Sequence, residues 1–453
     1  MALPAGPPLP ALIQTLLWIF RPIEYMETCR AKYGDIFTLR FTGLGVSHRI
    51  VFIADPSGVR AIFGGDPEVL RAGAANVALA VLLGEHSLLL LDGREHLRQR
   101  KLMLPPFHGE RMRSYESTMR EITLDHIHRW PRERPFPILP EMQSITLEVI
   151  LRTVFGFDDA TLRDEMRGLL QRMLSLGSGT ARVALVAFAR HELGGRSPWA
   201  RFMAARREVD AALHAQIQRR RASEPEKQDD VLSMLLTARD EEDRPLSDEE
   251  LRDELITLLV AGHETTATAL AWAFDLLLHH PQEMDALLSS LDTGEGRYVD
   301  AVIKETLRIR PVVPIVARYL GEPFSVMGHE IPARTVVAPC IYLTQRDPEV
   351  YPDANRFRPQ RFLEGAPDPY AWLPFGGGVR RCLGASFAQF EMRVVLRTIL
   401  SELQLRAAGS EFEQTTRRAV TLVPRGGVRV SLLGNRHTVQ TAPSPDERVP
   451  ISA

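Results

Sequence analysis

The sequence predicts a mainly α-helical fold with a minor β part, built as one domain. Three observations carry this expectation. Apolar residues recur with helical spacing over most of the chain from Pro56 to His280. A capped helical pattern begins at Ser247 and runs for about 30 residues, long for a globular helix. Short β-branched runs cluster near residues 36–53 and again after Arg310, so the β part draws on both ends of the chain.

Taken in order, Leu3–Pro10 (LPAGPPLP) reads as extended, because closely spaced prolines hold the backbone open. Ala11–Phe20 (ALIQTLLWIF) reads as a short helix packed on the domain surface. It is too short to span a bilayer and contains Gln14. It also lacks a basic leader and a small-residue cleavage site. No transmembrane segment or signal peptide is expected, and the expected location is cytoplasmic, with peripheral membrane contact left open. IFTLRF (Ile36–Phe41) and RIVFI (Arg49–Ile53) flank Gly43 and Gly45 and read as a hairpin. The helical stretch that follows is broken by Pro-rich or charged connectors, ERPFP (Glu133–Pro137) and SEPEKQDD (Ser223–Asp230).

The clearest helix starts at Ser247. Ser247 and Glu250 have capping-box spacing, and Asp248 and Glu249 favour the positive end of the dipole. The pattern reaches His279 and His280, where Pro281 stops it. A helix of that length crosses most of a domain and can present its middle to a buried site. PFSVM, RTVVAP, RRAVTLV and GVRVSLL then read as short strands. The division expected is a Pro-rich extended start (1–10), one folded domain (11–433), and a polar, disordered tail (434–453).

The bulk numbers narrow the function. A chain of 453 residues with 45% hydrophobic residues can bury a large core. A formal net charge of −2 gives no general attraction to nucleic acid. The three cysteines, Cys29, Cys340 and Cys382, are widely spaced and match no zinc pattern, which fits free thiols in a reducing compartment.

Cys382 lies in FGGGVRRCLGA (Phe375–Ala385), just before the helical run ASFAQFEMRVVLRTIL. Glycines let backbone approach a bulky object closely. A helix N-terminus, with Arg380 and Arg381 beside it, favours thiolate. A lone thiolate lacks the companions that zinc or an iron–sulfur cluster needs, whereas haem requires one protein ligand. Read by itself, the loop leaves a buried, structural cysteine as the commoner explanation.

FGGGVRRCLG resembles the haem-binding signature of the cytochrome P450 superfamily, Phe-x-x-Gly-x-Arg-x-Cys-x-Gly. Phe375, Gly378, Arg380, Cys382 and Gly384 fill its five fixed positions. Glu305 and Arg308 (Glu-x-x-Arg), followed by FRPQRF with Arg361, are similar to the family's structural Glu–Arg–Arg cluster, with Gln360 where glutamate is usual. AGHETT (Ala261–Thr266) is similar to the family's mid-helix Gly-x-acid-Thr pattern. On its own it is a local inconsistency, a polar run between apolar halves of one helix. LLLLDGREH and LPPFHGERM look most like a group of soluble bacterial members.

The resemblance implies a single-domain cytochrome P450 fold, with the long central helix across a haem b (iron protoporphyrin IX). It makes Cys382 the iron ligand. Glu264 and Thr265 become the proton-delivery pair, and His96, Arg100, Arg318 and Arg380 contacts for the haem propionates. Phe375 would shield the sulfur. Ala261, Gly262, Val312, Val313 and Ile315 would line the substrate pocket. The implied reaction inserts one oxygen atom from O2 into a C–H or C=C bond of a hydrophobic guest, with a fatty acid or terpenoid favoured and a macrolide still open. Apolar residues of Ala72–Leu90 (Ala74, Val77, Leu79, Val81, Leu82, Leu83) and of Arg172–Arg206 (Val183, Leu185, Val186, Phe188) are expected to wall that pocket.

Too few residues follow the last β run for a flavin domain. Electrons are therefore expected from a separate ferredoxin or flavodoxin with an NAD(P)H reductase, docked near Arg381, Arg111 and Arg113. A monomer is expected. A peroxide-using peroxygenase or isomerase and a non-catalytic haem sensor remain as alternatives; the Glu264–Thr265 pair argues against the former.

Overall fold

The computed structural model describes residues 3–42, 49–107, 111–157, 159–177, 197–223 and 229–436. Helices dominate these residues. The main ones are α1 (Ala11–Phe20), α2 (Pro22–Tyr33), α3 (Pro56–Gly64), α4 (Gly93–Met103), α5 (Arg111–Ile127) and α6 (Ile138–Thr153). After them come α7 (Ala160–Gly177), α8 (Pro198–Arg221), α9 (Asp248–Leu278), α10 (Pro281–Asp292), α11 (Arg297–Ile309) and α12 (Ala385–Glu402).

α9, at 31 residues, is the axis of the molecule. Its start is set by the Ser247–Glu250 capping box, with each side chain bonded to the other's backbone N–H. Its end falls at the His279 cap, two residues before Pro281. α6, α8, α11 and α12 all pack against it. The main core gathers Leu251, Leu255, Leu270 and Phe274 of α9 with Ile145 and Ile150 of α6 and Val395 and Ile399 of α12. Burying these apolar side chains is the main stabilising term for the helical body.

The β part is small and joins distant segments. β1 (Ile36–Arg40) and β2 (Arg49–Ile53) pair antiparallel, as the hairpin reading expects. β3 (Leu70–Arg71), β5 (Arg318–Leu320) and β8 (Val336–Pro339) complete a sheet in the order β1-β2-β8-β5-β3, with β2 and β8 parallel. β4 (Phe136–Pro137), β9 (Leu403–Ala407) and β12 (Arg429–Asn435) make a second sheet. β6 (Phe324–Val326) with β7 (His329–Ile331), and β10 (Thr415–Arg418) with β11 (Thr421–Pro424), are hairpins.

Both ends of the expected domain shift. Gly434 and Asn435 are not tail: they pair with Gln404 and Leu403 across β12 and β9, so the folded part runs past residue 433. The Pro-rich start is pinned to β1. Thr38 donates its N–H to the carbonyl of Ala5 at 3.1 Å and its hydroxyl to that of Pro4 at 2.7 Å. The tail beyond 436 lies outside the described residues.

Candidate active site

Cys382 sits between a strained glycine turn and the first turn of α12. Gly376 and Gly378 adopt φ of +65° and +64°, a region that disfavours any side chain. A Cβ on Gly378 would stand 2.1 Å from the carbonyl oxygen of Phe63 in α3, so glycine is also required by close approach. The N–H of Cys382 donates to the carbonyl of Phe375 at 2.9 Å and closes the loop. Phe375 itself is partly buried and edge-on to Trp372, with ring centroids 6.1 Å apart.

The Cys382 side chain is accessible yet ringed by protein atoms, as at the bottom of a hollow. Burial pushes its thiol up, against the N–H of Gly384 and the charges of Arg100 and Arg381. Desolvation thus opposes the helix terminus and the arginines at this sulfur, and a bound metal would replace the proton. Cys29 and Cys340 are buried and inert by comparison, with thiols pushed up to about 11 and about 12.

Four cationic or potentially cationic side chains stand together beside this loop. Arg100 donates to the carbonyl of Arg381 at 2.7 Å. Arg380 donates to the Asp92 carboxylate at 2.6 Å and to the carbonyl of Leu88 at 3.1 Å. Arg318 is buried and donates to the carbonyl of its own neighbour, Ala317, at 2.9 Å. Burial, with Arg380 close by, lowers it to about 10. His96 is buried and pushed down to about 3 by desolvation and by Arg380, Arg100 and Arg318. Such a concentration of desolvated positive charge, with Asp92 as the carboxylate that Arg318 and Arg380 feel, calls for further anions. Two propionates fit that demand, and the accessible Cys382 sulfur fits a single axial ligand. These are the residues that would hold a haem.

The middle of α9 is unlike its ends. Ala261 is exposed, and Gly262, Glu264 and Thr265 are half-buried, in a helix otherwise packed on most sides. The Thr265 hydroxyl donates back to the carbonyl of Ala261. Glu264 is held from two directions: Gln143 of α6 donates to it at 2.8 Å, and Arg418 of β10 at 2.9 Å. His263 is buried against α6, where the Thr146 hydroxyl donates to its carbonyl at 3.1 Å.

A Cβ on Gly262 would meet Cδ1 of Ile150 at 3.2 Å, so this glycine lets α6 come close to α9. One of the expected pocket residues turns elsewhere. Ile315 packs with the N-terminal cluster of Trp18, Tyr25 and Phe37, because the chain after α11 runs on into the β part. Val312 is buried in the main core and accepts from the N–H of Leu422 at 2.8 Å, while Val313 is half-buried. In the Ala72–Leu90 wall, Leu79, Val81 and Leu82 are half-buried on the core, Leu83 is buried and Val77 is exposed. Val183, Leu185, Val186 and Phe188 lie outside the described residues.

The Glu305 cluster is fully built. Arg308 makes a two-pronged pair with Glu305 at 2.6 and 2.8 Å, and Arg361 reaches the same carboxylate at 3.0 Å. Gln360 bonds Glu283 at 2.7 Å and Tyr298 at 3.0 Å, contacts that an amide donor suits. Gln345, which no sequence signal singled out, ties this cluster to the cysteine loop. Its amide nitrogen donates to the carbonyls of Leu307 and Arg308, and its oxygen accepts from Leu373, two residues before Phe375. Gln143, Arg418 and Asp92 were equally invisible, since each acts on a residue that only folding brings near.

The comparisons with known proteins agree with this geometry. A family model described as cytochrome P450 matches residues 4–431. A Mycobacterium bovis protein named as cytochrome P450 135B1 is 42% identical over 450 residues, covering 98% of this chain and 94% of its own. One from Mycobacterium tuberculosis named as cytochrome P450 137 is 40% identical over 404 residues, covering 88% and 83%. Among solved structures, retinoic acid bound cyanobacterial CYP120A1 superposes with a TM-score of 0.81 at 25% identity, over 96% of this chain and 100% of that one. The cytochrome P450DA heme domain gives a TM-score of 0.84 at 21% identity, over 96% and 98%, and speaks for the fold. The chain belongs to the cytochrome P450 family: it is a haem-binding monooxygenase.

Proposed function

We propose that this monooxygenase inserts one oxygen atom of O2 into a C–H or C=C bond of a fatty acid or terpenoid. Its electrons would come from a separate ferredoxin or flavodoxin and its NAD(P)H reductase, and it would work as a cytoplasmic monomer with one catalytic domain, about residues 11–435. The observation that carries this reading is the pairing of an accessible cysteine beside a desolvated cationic cluster with an acid–alcohol pair in the middle of α9.

When bound, the haem supplies oxygen activation. The chain's residues do the rest. Cys382 would hold the iron, shielded by Phe375, with the Gly384 N–H directed at the sulfur. Arg100, Arg318, Arg380 and His96 would take the propionates. Glu264 would hold and move a proton, and the Thr265 hydroxyl would pass it on beside Ala261. Leu79, Val81, Leu82 and Val313 would face an apolar guest. CYP120A1 is a structure with retinoic acid, an isoprenoid carboxylate, which supports a terpenoid-like guest. Arg381 and Arg113 are exposed and suit an acidic redox partner; the Arg111 side chain lies outside the described residues.

The test is a spectral titration of holoprotein with fatty acids, terpenoids and macrolides, followed by turnover with NADPH and surrogate redox proteins. A binding shift and an oxygenated product with a fatty acid or terpenoid are expected. Shifts with macrolides alone, or turnover with peroxide but none with O2 and reductase, would overturn the proposal.

A further inference from the structure

α1 is built inside out. Its buried face carries the polar Gln14 (0% exposed) and Thr15, with Trp18, while Leu12 (61%), Ile13 (43%), Leu16 (45%) and Phe20 (73%) face outward. Leu9, one turn earlier, is also exposed. Five of the fourteen large exposed hydrophobics among the described residues fall between Leu9 and Phe20. Scattered exposed leucines are ordinary; a contiguous stripe of them marks a contact surface.

The orientation is enforced by hydrogen bonds. The Gln14 amide donates to the carbonyls of Pro7 (3.1 Å) and Leu9 (2.8 Å) and accepts from the N–H of Arg40 (2.9 Å). The Thr15 hydroxyl donates to the carbonyl of Ala11 at 2.9 Å and accepts from the N–H of Thr42 at 3.0 Å. Rolling the helix to hide its leucines would break the bonds that tie Gln14 and Thr15 to Pro7, Leu9, Arg40 and Thr42 and strand buried polar groups. The fold therefore holds the apolar face outward.

Charge identifies the occupant. No acidic residue precedes Glu24. Exposed Arg21 follows one end of α1, and Arg40, bonded to the carbonyl of Leu9 at 3.1 Å, stands at the other. An apolar face bracketed by arginines matches an anionic bilayer surface, with side chains in the acyl boundary and guanidinium groups at the phosphates. A second copy on this face would set arginine against arginine with no carboxylate on α1 to answer them. No described helix is long and apolar enough to cross a membrane, so the contact is in plane.

We propose that α1 seats the enzyme on an anionic phospholipid surface. The β10–β11 hairpin packs on the buried side of α1 and links it to the site: Arg417 lies over the Trp18 ring at 5.0 Å, Val420 is exposed at the turn, and Arg418 pairs with Glu264. An apolar substrate dissolved in the bilayer would then be delivered on the side of the molecule that carries the site. That consequence rests on the proposed substrate class; the contact itself does not.

The test is flotation of full-length holoprotein with vesicles of phosphatidylcholine alone or mixed 3:1 (approximately) with phosphatidylglycerol. The expected result is about tenfold more protein in the floating fraction with the anionic vesicles, weakened by salt. The combined variant Leu12→Ser, Leu16→Ser, Phe20→Ser should lose that flotation while keeping its haem spectrum and melting temperature, since these side chains are exposed. Wild-type protein that stays below both vesicles, or a variant that floats as well, overturns the proposal. So does a wild-type dimer by light scattering that the variant splits, because the face then belongs to a second copy. Flotation needs neither substrate nor electrons, so its failure is distinct from failure of the oxygenation reading.

Discussion

Glu264 is gripped from both sides, by Gln143 and by Arg418, and this shapes what it can do. A carboxylate that moves a proton must keep its position and still exchange with the reacting centre. Glu264→Gln keeps the shape and removes the exchange. It should slow product formation by about 10²-fold with substrate affinity unchanged, in the range for loss of a positioned acid or base. Arg418→Ala should have a smaller effect, with more of the consumed NADPH lost to peroxide; full coupling in both variants would remove Glu264 from the proton path. His96 gives a pH prediction. Its folded value, about 3, lies below the ordinary histidine range, so between about pH 6.5 and 3 the unfolded chain binds the extra proton. Haem-free protein should therefore lose stability as pH falls through that window, by about 1.4 kcal/mol per unit from this group. Above pH 6.5 His96 contributes no slope. His96→Gln should flatten the curve, and two bound propionates should do the same by offsetting the arginines. Denaturant melts at stepped pH, with and without haem, measure both.

At the scale of elements, α9 carries a glycine at its centre, which costs about 1 kcal/mol of helix propensity against alanine. The return is the close approach of α6, whose Ile150 Cδ1 would stand 3.2 Å from a Cβ there. Gly262→Val should overpack that seam and destabilise by about 1–3 kcal/mol, seen as a lower melting temperature, with substrate affinity unaltered. Unchanged melting with a changed spectral binding constant would return Gly262 to the pocket wall. The cysteine loop depends on neighbours in the same way. Glu305 and Arg308 are fully buried, so Glu305→Ala would leave Arg308 and Arg361 facing each other without a counter-charge. A loss of about 3–5 kcal/mol is expected, read as failure to retain haem in the purified protein.

For the molecule as a whole, local signals were the legible ones. The capping box and Pro281 fixed both ends of α9, and the glycines around Cys382 marked a turn that tolerates no side chains there. Pairings between distant segments were not legible. β2 lies parallel to β8 across more than half of the chain, and Gln143, Glu264 and Arg418 meet from three separate elements. The direction of Gly262 depends on the phase of α9 against α6, which periodicity in one helix does not define. α1 was legible as a surface helix, but not which face it shows, because Gln14 and Thr15 find their partners in the Pro-rich start and around β1. The proposed ligation of haem iron by Cys382 underlies the oxygenation reading. Its most direct measurement is the absorption spectrum of the reduced, CO-treated holoprotein. Thiolate ligation predicts a strongly red-shifted Soret band that Cys382→Ala abolishes; a band typical of an imidazole ligand, or one unchanged in Cys382→Ala, would contradict it.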